Sequence, residues 1–258
     1  MKNWIRDTFL DKYSLMLKVF EQKWRTAEST VTKLLEIFNK YNICKHDRIL
    51  EVGCGNGRVI INLALRGYTN IIGIDICPKF LEDANRKALE YNVSHRVDLI
   101  ATDARFLANV LHRAKVKAVL FVWTSVIGYH ESEVEDSEIL KQCKFITSKG
   151  SYLIVLEHSN REIVEQLHEL IRSYCLISEF GDIVLIEKPR YDKDRKVVEN
   201  VWLFYRRVGK DLIFLGDVSI KLRLYTPQEL IGLAMRVGWK PVEVSCNKYR
   251  IDLVFTSE

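Results

Sequence analysis

Between residues 48 and 156 five short apolar runs alternate with segments of helical pattern, and this alternation constrains the fold more than anything else in the 258-residue chain. The runs cover 48–52, 70–75, 97–102, 118–123 and 150–156. Each is too short to cross a bilayer and apolar almost throughout, as a strand is when both faces of its sheet are covered. Helices are expected over 58–66 and over 78–90, where Pro78 suits the first helical position. With PVEVSC and RIDLVFT near the C-terminus as two more strands, the pattern predicts an α/β fold, a doubly wound, mostly parallel seven-stranded sheet.

Residues 1–41 read as helical. Leu34, Leu35, Ile37 and Phe38 form an apolar stripe, and Thr26 or Ser29 is placed to cap it. After 160 the rhythm changes to one helix and runs such as VENVWLFYRRV and KLRLY, whose alternation suggests antiparallel strands with one wet face. A helix over 227–237, ended by Gly238, leads back to the main sheet. The expected division is a helical cap over 1–45, an α/β core over 46–159 and 226–258, and an antiparallel insertion after the fifth strand over 160–225. The insertion, carrying Trp202, Phe204, Tyr205 and Tyr225, is expected to serve as a substrate lid or a dimer contact. Trp4, Tyr13 and Trp24 could close the opposite side.

Composition narrows the partners. There are 39 Lys+Arg against 34 Asp+Glu, a net charge of +5, and no dense basic stripe interleaved with aromatics, so charge gives no preference for nucleic acid without excluding it. Asp7 and Asp11 break the first segment, which lacks the apolar run of a signal peptide. The six cysteines are scattered with no CxxC pair, as expected for reduced thiols in a cytoplasmic protein with no metal site and no membrane partner. Monomer and homodimer both fit.

The chemistry concentrates at Glu51-Val-Gly-Cys-Gly-Asn-Gly-Arg58, directly after a strand and directly before a helix. Glycines at 53, 55 and 57 let a ligand lie against bare peptide groups, and the helix start offers N–H donors and a positive dipole end. A dinucleotide fingerprint needs glycine at 58, and arginine stands there, which argues against a nicotinamide-dependent dehydrogenase. Asp75 closes the second strand, where a carboxylate can take both hydroxyls of a ribose. Asp103 follows the third, placed to accept from an exocyclic adenine amine. Glu51 can hold the amino end of a zwitterion or orient the turn. Singly, each of these is also an ordinary connection or helix cap; their register at three successive strand ends favours a ligand.

These motifs resemble those of class I (Rossmann-like) S-adenosylmethionine-dependent methyltransferases of the small-molecule branch, from Ile49 to about Leu156. EVGCGNG resembles the family's first motif, GIDIC its ribose motif and ATDARFL its adenine motif. LYTPQELIGLAMRVGW is similar to a segment of the small-molecule branch. The resemblance implies S-adenosylmethionine as cofactor, with Gly53, Gly55 and Gly57 along its methionine part, Asp75 at the ribose, and Asp103 with Ala104 at the adenine. Glu51, Cys54, Asn56, Ile76 and Trp123 complete the cofactor-binding candidates.

On the acceptor side, Trp123 ends the fourth strand, where it could stack on adenosine, line a transfer channel or pack in the core. Tyr129, His130 and, after the fifth strand, His158 are the candidate catalytic residues, each histidine open to a merely structural role. No NPPY-like tetrapeptide and no Pro-Cys pair follows the fourth strand. WTSVIGYH instead resembles the loop of enzymes acting on small amines or hydroxyls. The expectation is methyl transfer to nitrogen or oxygen of a small molecule. The alternatives are an RNA or protein methyltransferase, or a cofactor-binding protein without activity.

Overall fold

The computed structural model describes residues 4–24, 26–112, 114–173, 175–246 and 249–257, so the expected helical pattern over 1–3 lies outside the described residues. A π-helical turn (Arg6–Asp11) precedes α1 (Tyr13–Trp24) and α2 (Ala27–Lys40). Thr26 does stand at the N-cap of α2, but its hydroxyl donates backward to the Lys23 carbonyl instead of accepting from the helix.

The apolar runs become β1 (Ile49–Val52), β2 (Ile71–Asp75), β3 (Val97–Ala101), β4 (Val116–Val122) and β5 (Thr147–Ser159). Between them lie α3 (Arg58–Leu65), α4 (Pro78–Glu90), α5 (Leu107–Leu111) and α6 (Glu133–Phe145), and α7 (Arg161–Ser173) follows β5. The fifth strand outruns its apolar stretch because it pairs on both sides, with β4 and with the C-terminal strand.

The inserted sheet is β6 (Leu176–Phe180), β7 (Ile183–Asp192), β8 (Val197–Val208) and β9 (Asp211–Arg223), antiparallel and in chain order. Helix α8 (Pro227–Arg236), closed by a Thr226–Glu229 capping box, leads to β10 (Trp239–Cys246) and β11 (Arg250–Ser257). The main sheet runs β10-β11-β5-β4-β1-β2-β3, with β11 antiparallel to β5.

Burial follows the pleat. Val119 and Phe121 of β4 join the core with Leu153, Phe255 and Trp239, while Ala118 and Leu120 join Leu34, Phe38 and Ile60 on the other face. A third core holds the inserted sheet to the N-terminal helices through Phe204, Val218, Leu185, Phe9, Met16 and Phe80. The insertion leaves and re-enters at one place. Asn160 and Tyr225 form an isolated parallel bridge, and the Arg161 N–H donates to the Tyr225 carbonyl at 3.1 Å.

The loop after β4 is held in a conformation that most side chains avoid. Trp123, Thr124, Val126 and Glu131 have φ between 56° and 65°, and Gly128 has φ 93°. Such positions cost about 1–3 kcal/mol each and persist only where surrounding contacts over-determine them. Here the buried Asp136 carboxylate accepts from the Gly128 N–H at 2.9 and 3.0 Å and from the Tyr225 hydroxyl at 2.6 Å. The Arg223 N–H donates to the Gly128 carbonyl at 2.9 Å. A methyl group on Gly128 would sit 2.3 Å from the Arg223 carbonyl oxygen. Gly128→Ala should therefore lose about 2 kcal/mol or more in urea unfolding, from both the φ value and the clash. Stability equal to the parent would mean that loop and insertion do not press together here.

Candidate active site

The parallel strands end on a cavity of about 660 Å³, within the usual size of a small-molecule site. Its floor is the turn after β1 and the ends of β2, β3 and β4; α1 and the inserted sheet close it. Of the fourteen residues singled out in the sequence, twelve line it: Glu51, Gly53, Cys54, Gly55 and Asn56 from the turn; Asp75 and Ile76; Asp103 and Ala104; Trp123, Tyr129 and His130.

Two do not. Gly57, at φ 79°, starts α3 and faces the protein; a Cβ there would lie 2.9 Å from Ile61 and 3.0 Å from Ala84. It serves helix packing and does not line the cavity. His158 is buried against Tyr225, its ring centroid 6.5 Å away, and burial with the Arg250 charge pushes its pKa down to about 3. His158 does not line the cavity, so the structure does not bring it together with Tyr129 and His130.

Asp75 sets the turn. One carboxylate oxygen accepts from the Gly55 N–H at 2.8 Å and the other from the Cys77 N–H at 2.9 Å. Burial still pushes its pKa up to about 6 against those bonds. Above Gly55 lies Phe20 of α1, 3.2 Å from where a Cβ would stand, so the turn is pressed between Asp75 and the N-terminal helices.

Glu51 is buried, its Oε2 without a partner among the described residues, and burial pushes its pKa up to about 8, with Arg58 pulling the other way. Asn56 is buried too, and its Nδ2 makes no hydrogen bond among the described residues. Orphaned buried polar atoms of this kind mark places where a ligand completes the bonding.

Beside them stand cations that sequence reasoning missed. Lys23 lies 4.6 Å and Arg58 5.4 Å from the Trp123 ring centroid. Neither makes an ion pair within 4 Å among the described residues, and burial followed by mutual repulsion lowers the Lys23 pKa. Trp123 packs against two cores and carries both charges. Only Arg58 had a signal in the sequence, the missing third glycine.

Asp103 is tied to Arg105, whose guanidinium lies 2.7 Å away and whose N–H donates at 2.9 Å; these bonds outweigh burial and hold its pKa low. Tyr129 stacks on Phe9 with centroids 5.6 Å apart, and burial keeps its phenol protonated. Burial and Arg105 lower the pKa of His130, with Glu135 Oε2 3.8 Å from its Nδ1. Among the described residues no helix is long and apolar enough to cross a membrane.

Comparison with known proteins places this site in a family context. Residues 49–150 match the family model of a methyltransferase domain. The 27-O-demethylrifamycin SV methyltransferase of Amycolatopsis mediterranei is 34% identical over 80 residues, which span 31% of this chain and only 29% of that protein. Among solved structures, an S-adenosylmethionine-dependent methyltransferase from Clostridium acetobutylicum superposes with a TM-score of 0.77 at 14% identity, over 95% of this chain and 98% of that one. CalS10, an amino pentose methyltransferase from Micromonospora echinaspora, gives 0.71 at 18% identity, over 93% and 97%. At these identities the structural likeness is one of fold.

The buried acid makes a pH prediction. Glu51 keeps its proton in the fold to about pH 8, whereas the ordinary value is 4.5, so the unfolded chain binds fewer protons between those values. Its contribution to stability is complete below pH 4.5 and lost as pH rises through 8, on the order of several kcal/mol. Glu51→Gln should gain stability over the parent as pH rises from 5 to 8.5 in ligand-free protein, followed by thermal unfolding. A constant difference across that range would mean that Glu51 is ionised in the fold.

Proposed function

Because the chain is built on the class I S-adenosylmethionine-dependent methyltransferase fold, we propose that it transfers a methyl group from S-adenosylmethionine to a nitrogen or oxygen of a small-molecule acceptor. The observation that carries this is the pairing, in one cavity, of polar atoms on Glu51 and Asn56 with two cations, Lys23 and Arg58, where among the described residues the first lack hydrogen-bond partners and the second lack ion-pair partners. A ligand with an ammonium, a carboxylate and a ribose satisfies all of them. Glu51 would hold the ammonium, Lys23 and Arg58 the carboxylate, and Asp75, with lone pairs beyond its two backbone bonds, the ribose. Bound there, S-adenosylmethionine supplies an electrophilic methyl group that needs mainly an aligned nucleophile.

Tyr129 and His130 position the acceptor. The phenol is a hydrogen-bond donor, and the neutral imidazole can take a proton where the acceptor must lose one. The inserted sheet and the N-terminal helices form the acceptor side, since the strand ends are given to the cofactor. Six free thiols support work in a reducing, cytoplasmic setting, as monomer or homodimer.

Turnover of labelled S-adenosylmethionine against a metabolite pool, an RNA pool and a protein lysate tests the reading: label should enter the metabolite pool alone. Calorimetry adds a residue-level check. S-adenosylhomocysteine should bind and NAD should not, and Asp75→Ala should weaken S-adenosylhomocysteine roughly tenfold or more. Because Gly55 and Cys77 lose their acceptor, that variant should also melt earlier. Unchanged affinity with a lowered melting temperature would reduce Asp75 to a structural pin.

A further inference from the structure

Alternate residues of the inserted sheet face the cavity, as the two-residue repeat of a strand requires. From β7 and β8 these are Leu185, Glu187, Val198, Asn200 and Trp202, and from β9 Ile220 and Leu222. Ser178 and Glu179 of β6 also reach the cavity; along β7, β8 and β9 the face is apolar except at one spot. Glu187 and Trp202 pair across the β7–β8 ladder, and Asn200 is two residues before Trp202 on the same face. The Asn200 Nδ2 donates to Glu187 Oε2 at 3.0 Å.

That single bond leaves the spot incomplete. Asn200 Oδ1 and Trp202 Nε1 are both shielded from solvent and have no hydrogen-bond partner among the described residues. Burial raises the Glu187 pKa, against the Asn200 hydrogen bond, the Lys23 charge and the Trp202 N–H, which is aimed at the carboxylate. A small-molecule site has this composition: apolar walls and a few convergent polar groups that fix orientation. With the Trp202 N–H aimed at Glu187, the demand still unmet is for donors, since a carboxylate and the Asn200 amide oxygen face the same space. A hydroxyl has one hydrogen to offer. An ammonium has three, so it can reach Glu187 and Asn200 Oδ1 together, and its charge offsets the half-buried carboxylate.

We propose that the acceptor is an amine-bearing molecule with an apolar skeleton, its amino group held by Glu187 and the Asn200 amide oxygen and its skeleton against Leu185, Val198, Ile220 and Leu222. This rests on the proposed methyltransferase activity and names the acceptor class for it. Glu187 and Asn200 are here specificity residues, with no part assigned in the transfer step.

The test fractionates a metabolite pool by charge and offers each fraction with labelled S-adenosylmethionine. Product should arise from the fraction retained on a cation exchanger. For that acceptor, Glu187→Gln should raise KM roughly tenfold or more while leaving the Kd of S-adenosylhomocysteine within about twofold. Product only from the neutral or anionic fraction, or an unchanged KM in Glu187→Gln, overturns the proposal.

Should no fraction be methylated, the activity itself fails, and binding decides the acceptor class. Calorimetry on protein saturated with S-adenosylhomocysteine would then compare phenethylamine with 2-phenylethanol. Preference for phenethylamine, lost in Glu187→Gln and in Asn200→Leu, supports the site. Equal binding of the two probes, or none of either, removes it.

Discussion

One carboxylate with two backbone donors fixes the geometry from which the floor of the site follows. Asp75 takes the Gly55 N–H from the turn after β1 and the Cys77 N–H at the start of α4. Adjacent parallel strands otherwise splay at their ends, because their ladder stops and each chain turns into its own helix. By spanning that gap, Asp75 sets the angle at which α3 and α4 leave the sheet, and Gly57 lets those helices close to contact at Ala84. The same bonds oppose the burial that raises the carboxyl's pKa, so the site is built at an electrostatic cost that a hydroxyl-bearing ligand can reduce.

A second tie joins floor to roof. Asp136 receives the loop backbone at Gly128 and the root of the inserted sheet at Tyr225, and the Asp136 and Tyr225 side chains are both buried. Trp123 and Tyr129 sit on that loop, so their places are decided jointly by the parallel core and by the insertion. Thr124 and Val126, both β-branched, tolerate left-handed backbone there. Neither half alone would hold them so, since each supplies only part of the hydrogen bonding.

The five apolar runs, the glycine turn and the strand-end acids were legible because each depends on local spacing, and spacing is what a sequence displays. Direction is not. His158 stands at the end of β5 as expected, but Glu157 has φ 57° and the β5–β11 register slips beside it, so the alternation breaks and the imidazole turns inward. Gly57 shows the same limit: the turn has the right form, and the third glycine serves helix packing. Lys23 and Arg58 were illegible as a pair because they come from helices thirty-five positions apart, and only the fold brings both to Trp123. Within the insertion, the alternation of VENVWLFYRRV correctly marks two faces, yet which face is roofed depends on the third core, whose members come from both ends of the chain.

The bridge between Asn160 and Tyr225 has a consequence for how such a chain can diversify. A segment whose two ends lie side by side imposes no spacing on the sheet that carries it. It can be lengthened, shortened or exchanged whole while the ladder from β5 to β11 keeps its register. Selection acting on the roof is thereby separated from selection acting on the floor, except at the few residues, Asp136 and Gly128 among them, that must still meet whatever is grafted above.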